Sequence, residues 1–105
     1  MDHTILSALA EPRRLQIVEL LQDGPLTVGE IADHLQIRQP QASKHLRILY
    51  EAGVVDFDVD VNRRIYRLRP EPFVEINAWL EQYRGMREEK LDNLDDYLQQ
   101  LQNKK

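Results

Sequence analysis

Cysteine is absent from this chain of 105 residues, which removes disulfides, thiol redox switching and thiolate metal sites from consideration together. The same absence fits a reducing compartment. Glycine is scarce, with four residues scattered among turns and helix ends, so no glycine-rich loop is available to cradle a phosphate. No apolar run approaches bilayer-spanning length, and no charged-then-apolar leader precedes the first helical pattern. A cytoplasmic location is the expectation. Internal repeats and low-complexity stretches are missing, as are a Ser/His/Asp set and a carboxylate pair in an apolar setting, so no enzymatic activity is expected. Positive charge is also in short supply. The formal net charge is −4, and affinity for a polyanion comes largely from lysine and arginine.

What is present is unevenly distributed. Residues 38–69 carry seven basic and four acidic side chains, a net of +3, whereas residues 1–37 carry two and six (−4) and residues 70–105 five and eight (−3). One basic segment therefore sits between two acidic ones. At this length, with 42% hydrophobic and 30% charged residues, one folded domain over 1–105 is expected.

The basic segment overlaps the most organised stretch of the chain. Thr27 and Glu30 have capping-box spacing, which starts a helix at Thr27. Behind the cap, Val28, Ile31, Ala32 and Leu35 fall on one helical stripe, leaving Gly29, Glu30, Asp33 and His34 outside. Gln36-Ile37-Arg38 is too short for anything but a helix-to-helix turn. A second helix begins near Pro40, which suits a first helical turn, and ends at Gly53. Its apolar set is Ala42, Leu46, Leu49 and Ile48. The opposite side holds Gln41, Ser43, Lys44, His45, Arg47 and Glu51, groups matched to the donors and acceptors of base edges and phosphates in a major groove.

Asp56 to Leu68 follows as a strand pair. A two-residue turn at Asn62-Arg63 would set Val59 opposite Tyr66, Phe57 opposite Leu68, Asp58 opposite Arg67 and Asp56 opposite Arg69, with Asn62 taking the positive φ that such turns need. One face is then apolar and the other carries paired opposite charges, which makes Asp56, Asp58 and Asp60 a solvated strand face rather than a metal site. Arg63 and Arg64 are left at the tip without evident acidic partners, free for phosphates or a narrow minor groove. Helix, turn, helix and hairpin in this order predict a mainly α fold with a small β-hairpin, a winged helix-turn-helix, with the helix pair in 26–53 and the wing in 54–69.

From Glu71 onward, Phe73, Ile76, Trp79/Leu80, Tyr83, Met86/Arg87, Lys90/Leu91, Leu94, Tyr97/Leu98 and Leu101 recur about every three to four residues, the pattern of a long amphipathic helix over 71–102 interrupted only by Gly85. Phe73 and Ile76 are expected in the core. A chain this small cannot cover the rest of such a stripe alone. A homodimer interface is expected to centre on Trp79, Leu80 and Tyr83, to continue through Met86 and Leu94, and to include Ile5, Leu6 and Leu9.

The segments ALAEPRRLQIVELL (Ala8 to Leu21), LTVGEIADHL, QPQASKHLRILYEAGVV and RRIYRL (Arg63 to Leu68) resemble the ArsR/SmtB family of small bacterial winged-helix repressors. The resemblance implies that the helix from Gln39 to Ala52 reads the major groove of double-stranded DNA, that the hairpin is the wing, and that a homodimer binds an inverted repeat. Gln39, Ser43, Lys44 and His45 match motif positions that resemble DNA contacts, and Arg63 and Arg64 match the wing. The candidate DNA-facing set is Thr27, Arg38, Gln39, Gln41, Ser43, Lys44, His45, Arg47, Asn62, Arg63 and Arg64. Two departures stand out: family turns usually carry glycine where this chain has Gln36 and serine where it has Arg38.

The family's metal sensors are a poor guide to this chain. It lacks the cysteines of the arsenic, cadmium and lead sensors, and none of His3, His34 and His45 lies in the C-terminal helix, where zinc and nickel sensors place paired ligands. No cofactor is expected. An unidentified protein or small-molecule effector, or protein concentration acting through autoregulation, would then supply the signal. The competing reading is a non-enzymatic interaction module that binds a protein through the C-terminal helix. The DNA-binding reading entails modest affinity with a marked salt dependence.

Overall fold

A computed structural model describes residues 3–86, 96 and 98–101. Where one domain was expected, the chain divides into two compact units, residues 1–73 and 74–105.

The first unit contains α1 (His3–Leu9), α2 (Pro12–Leu21), β1 (Leu26–Thr27), α3 (Val28–Leu35), α4 (Gln39–Glu51), β2 (Val55–Asp60) and β3 (Arg63–Leu68). Local chemistry explains most of these boundaries. Pro12 opens α2, and the Glu11 carboxylate accepts from the Arg14 backbone N–H at 3.1 Å, satisfying a donor that the first turn would otherwise leave unpaired. The Arg14 guanidinium reaches back to the carbonyl oxygens of Ala8 and Ser7 at the end of α1. In α3 the capping box is complete: the Glu30 N–H donates to the Thr27 hydroxyl and the Thr27 N–H to the Glu30 carboxylate, at 3.2 and 2.9 Å. At the end of α4, Gly53 adopts φ +79° and the Val54 N–H donates to the Leu49 carbonyl at 2.9 Å, the six-to-one bond of a glycine-terminated helix.

The core of this unit is apolar throughout. Ile17, Ile31, Leu46, Leu49, Val54 and Val55 are fully buried, and Ile5, Ala8, Ala32, Ala42 and Tyr66 fill in around them. Burial of Ile5 corrects the expectation that it serves a subunit interface, because its side chain is already committed to this core. Leu6 is exposed and Leu9 half-buried.

The sheet differs from the expected hairpin in two respects. It has three antiparallel strands in the order β1-β3-β2, with Leu26 opposite Tyr66 and Thr27 opposite Ile65. The register of β2 on β3 is also displaced: Val55 faces Leu68, Phe57 faces Tyr66, Asp56 faces Arg67 and Asp60 faces Arg63. The two-residue turn is thus Val61-Asn62, and the positive φ falls on Val61 at +56°, not on Asn62. A slip of two residues preserves which side chains share a face, so the apolar and charged faces survive. Arg67 bridges Asp56 at 3.5 Å and also bonds Asp58, while Arg69 pairs with Glu71 instead of Asp56.

The second unit begins within α5 (Glu71–Glu81). The helix is not continuous over 71–102: the N–H groups of Gln82 and Tyr83 donate to carbonyls three residues back, a tightened turn that ends it before Gly85. Trp79 and Tyr83 meet edge to face with centroids 5.3 Å apart, and Arg84 pairs with Glu81 at 2.7 Å. Val74, Leu80, Tyr83, Met86, Leu98 and Leu101 are exposed, and Ile76 and Trp79 are half-buried. Leu94 lies outside the described residues. No helix among the described residues is long and apolar enough to cross a membrane.

Candidate nucleic-acid interface

The turn into α4 has the backbone on which the site depends. Gln36 sits at φ 54°, ψ 46°, a left-handed conformation that is costly for a side chain with a Cβ. Arg38 takes the N-cap position of α4 with extended backbone and makes no side-chain cap; only the returning half of the box forms, in which the Arg38 N–H donates to the Gln41 side-chain oxygen at 3.2 Å. The Arg38 guanidinium is therefore exposed at the start of the helix.

Three residues one helical turn apart, Gln39, Ser43 and Arg47, line one wall of a groove of about 670 Å³, and Asn62, Arg63 and Arg64 of the β2–β3 hairpin line the other. Thr27 lines it too, although its hydroxyl is held by the Glu30 N–H. The structure thus gathers seven of the eleven residues proposed from sequence. Arg38, Gln41 and Lys44 are exposed elsewhere on the same helix and its turn.

His45 is placed differently. It follows Ala42 by three residues and precedes the fully buried Leu46, so it lies on the flank of the core stripe. Its Nδ1 is buried without a hydrogen bond, 3.8 Å from a Glu11 carboxylate oxygen, and only 21% of the side chain is exposed. The assignment of His45 to the open reading face is corrected accordingly: packing against the start of α2 turns the ring inward.

The groove has an aromatic component that the sequence reading left out. Tyr50 lines it beside Phe57 and Tyr66, with ring centroids of Phe57 5.2 Å from Tyr50 and 5.3 Å from Tyr66. Its spacing held the signal, since residues 39, 43, 47 and 50 recur at helical period. Arg64 lies with its guanidinium carbon 4.7 Å from the Phe57 ring centroid, a cation–π contact that holds the side chain over the apolar face.

Electrostatics set which cations are available. Arg47 pairs with Glu51 at 3.0 Å and Arg63 with Asp60 at 3.4 Å, which corrects the expectation that Arg63 lacks an acidic partner. Both pairs are well exposed, and such pairs contribute little, so a phosphate can compete for either guanidinium. Arg38, Lys44 and Arg64 make no ion pair among the described residues. Glu30 is held below the usual carboxylate range, first by the Thr27 backbone N–H, then by the Thr27 side chain, with Arg63 contributing less. Among the described residues no group of three or more His, Asp or Glu side chains is arranged to hold a metal ion.

The arsR family of bacterial regulatory proteins matches residues 11–56 of this chain. Over 76 residues the chain is 38% identical to the HTH-type transcriptional regulator Rv2034 of Mycobacterium tuberculosis, spanning 72% of this chain and 71% of the relative. The arsenical resistance operon repressor of Staphylococcus xylosus is 35% identical over 78 residues, 74% of this chain and 75% of its own length. Among solved structures, the homodimeric winged helix-turn-helix DNA-binding domain Mb0332 of Mycobacterium bovis superposes with a TM-score of 0.65 at 32% identity, covering 75% of this chain and 73% of that one.

Proposed function

Since the chain belongs to the arsR family of bacterial regulatory proteins, we propose that it is a DNA-binding transcriptional repressor that reads an inverted-repeat operator as a homodimer. The observation that carries this reading is the groove in which Gln39, Ser43 and Arg47 of α4 face Asn62, Arg63 and Arg64 of the hairpin. The helix supplies hydrogen-bonding groups of the kind that distinguish base edges in a major groove, and the hairpin supplies guanidinium groups for the flanking backbone or minor groove. In this reading α3 and α4 are the helix-turn-helix within 26–53, and residues 54–69 are the wing.

Exposed Leu80, Tyr83 and Met86 in the second unit support a subunit interface there, because a row of large apolar side chains left in water is costly. A two-fold dimer would set the two reading helices about 34 Å apart, one turn of DNA. Acidic segments on either side of the basic one would oppose loose association, leaving a salt-sensitive specific complex.

Selection of bound fragments from genomic DNA with the purified protein tests the reading. An enriched inverted repeat is the expected result, bound with an affinity that falls steeply with salt. Recovery of no enriched repeat would favour the interaction-module alternative.

A further inference from the structure

Val61 occupies the tip of the β2–β3 hairpin with φ at +56°. A β-branched side chain in this region is a genuine outlier, because its Cβ substituents crowd the backbone. Asparagine, the residue type that tolerates such a turn, is the very next residue, yet the strand register leaves the strained position to the valine.

Packing offers no compensation. Val61 is 85% exposed, more than any other large apolar residue in the described chain. Along one edge of β2, Val55 is fully buried, Phe57 partly covered, and Val59 67% exposed, so the apolar row runs out of the core and into solvent towards the tip. Strained conformations persist at sites of function more often than elsewhere, and here neither burial nor hydrogen bonding rewards the choice of residue.

We propose that Val61 is an apolar wedge which the hairpin inserts into the minor groove beside the major groove read by α4, opening a base step and bending the DNA. This rests on the DNA-binding reading above. The occupant is identified by continuity: Asn62, Arg63 and Arg64 line the same groove as Gln39 and Ser43. Val61 stands between Asp60, whose carboxylate pairs with Arg63 at 3.4 Å, and Asn62, and the two arginines that follow on its C-terminal side place it next to the backbone they would hold. Apolar side chains inserted from the minor groove unstack and kink DNA, and the flanking cations recover part of the cost at the phosphates. Asn62 can pair with the acceptors that A·T-rich minor grooves present.

The test uses the full chain and the DNA fragment recovered by selection, labelled at both ends for energy transfer. Val61→Asn relieves the strain and removes the wedge, so its melting midpoint should rise by a few degrees while affinity falls about tenfold and the bend is reduced. Val61→Ile keeps an apolar β-branched side chain and should retain both affinity and bend. If V61N binds and bends DNA as the parent does, or if the parent leaves DNA straight, the wedge is refuted while DNA binding stands; the tip would then be open to a protein partner. Failure of the parent chain to select any DNA would overturn both readings.

Discussion

The Nδ1 of His45 lies 3.8 Å from the carboxylate of Glu11, so a residue of the reading helix is turned back towards the first turn of α2. Glu11 meanwhile accepts from the Arg14 N–H. These two residues therefore belong to the joint between α2 and α4 and not to the exposed face of α4. His45→Ala is expected to change operator affinity by no more than about threefold, whereas Ser43→Ala, in the groove, is expected to weaken it about tenfold. Glu11→Ala should lower stability by about 1 kcal/mol through loss of the cap. Fluorescence anisotropy and chemical denaturation read the two effects separately, and a large affinity loss in H45A would return the histidine to the reading face.

Gly29 bears on affinity through its neighbour. A Cβ built at Gly29 would lie 3.3 Å from Gln39 Nε2, close enough to displace the end of that side chain. Alanine in a helix is favoured over glycine by about 0.5–1 kcal/mol. Gly29→Ala is thus expected to melt at or above the parent temperature while binding operator more weakly. Thermal melting and a binding titration on the same sample check the opposite signs, and parallel losses in both would mean that the helix packing itself had been disturbed.

Much of this arrangement was legible because its signals are local. The Thr27/Glu30 capping box, Pro40 in a first helical turn and Gly53 beyond the last one each act within a few residues, and all three stand where the sequence placed them. The failures share a different cause. β1 is two residues long and exists only through pairing with β3, so no local pattern announces it. The backbone preference of Asn62 points to one hairpin register, but the fold puts the positive φ on Val61, and the two faces stay intact because the registers differ by an even number of residues. The period of α4 alone points His45 outward, whereas its approach to Glu11 at the start of α2 decides its direction. Apolar residues near a terminus, such as Ile5, can serve a core or a partner equally well, and only burial distinguishes them.

Glu30 gives the fold a pH dependence of known sign. Its carboxyl is held below the usual range by the Thr27 backbone N–H and then by the Thr27 side chain. A depressed folded-state value means that the contribution is fully present above the ordinary glutamate value of about 4.3 and is lost as pH falls through the lower folded value. In Glu30→Gln the side-chain oxygen can still accept from the Thr27 N–H but has no charge to lose. The stability difference between parent and E30Q should therefore shrink as pH is lowered through the acid range. Denaturation midpoints at a series of pH values measure it, and a constant difference would show that Glu30 does not titrate as a cap.

Gln36 is the clearest place where the fold is paying for a residue choice. Its φ of 54° and ψ of 46° are left-handed, and a residue with a Cβ bears about 1–2 kcal/mol there that glycine does not. Its N–H still donates to the Asp33 carbonyl, and the next N–H, of Ile37, reaches the Ala32 carbonyl at 3.0 Å, so the turn closes α3 correctly despite the strain. Gln36→Gly should preserve these bonds and raise stability by about 1 kcal/mol, reduced in part by the greater freedom glycine gives the unfolded chain. For a unit of this size that corresponds to a rise of about 4–8 °C in the melting midpoint. Gln36→Pro, which cannot adopt a positive φ, should instead destabilise the helix pair. If glycine brings no gain, the Gln36 side chain makes up the strain within the folded turn itself; operator affinity of the Q36G protein is a separate readout, and a loss there would show that Gln36 also serves DNA binding.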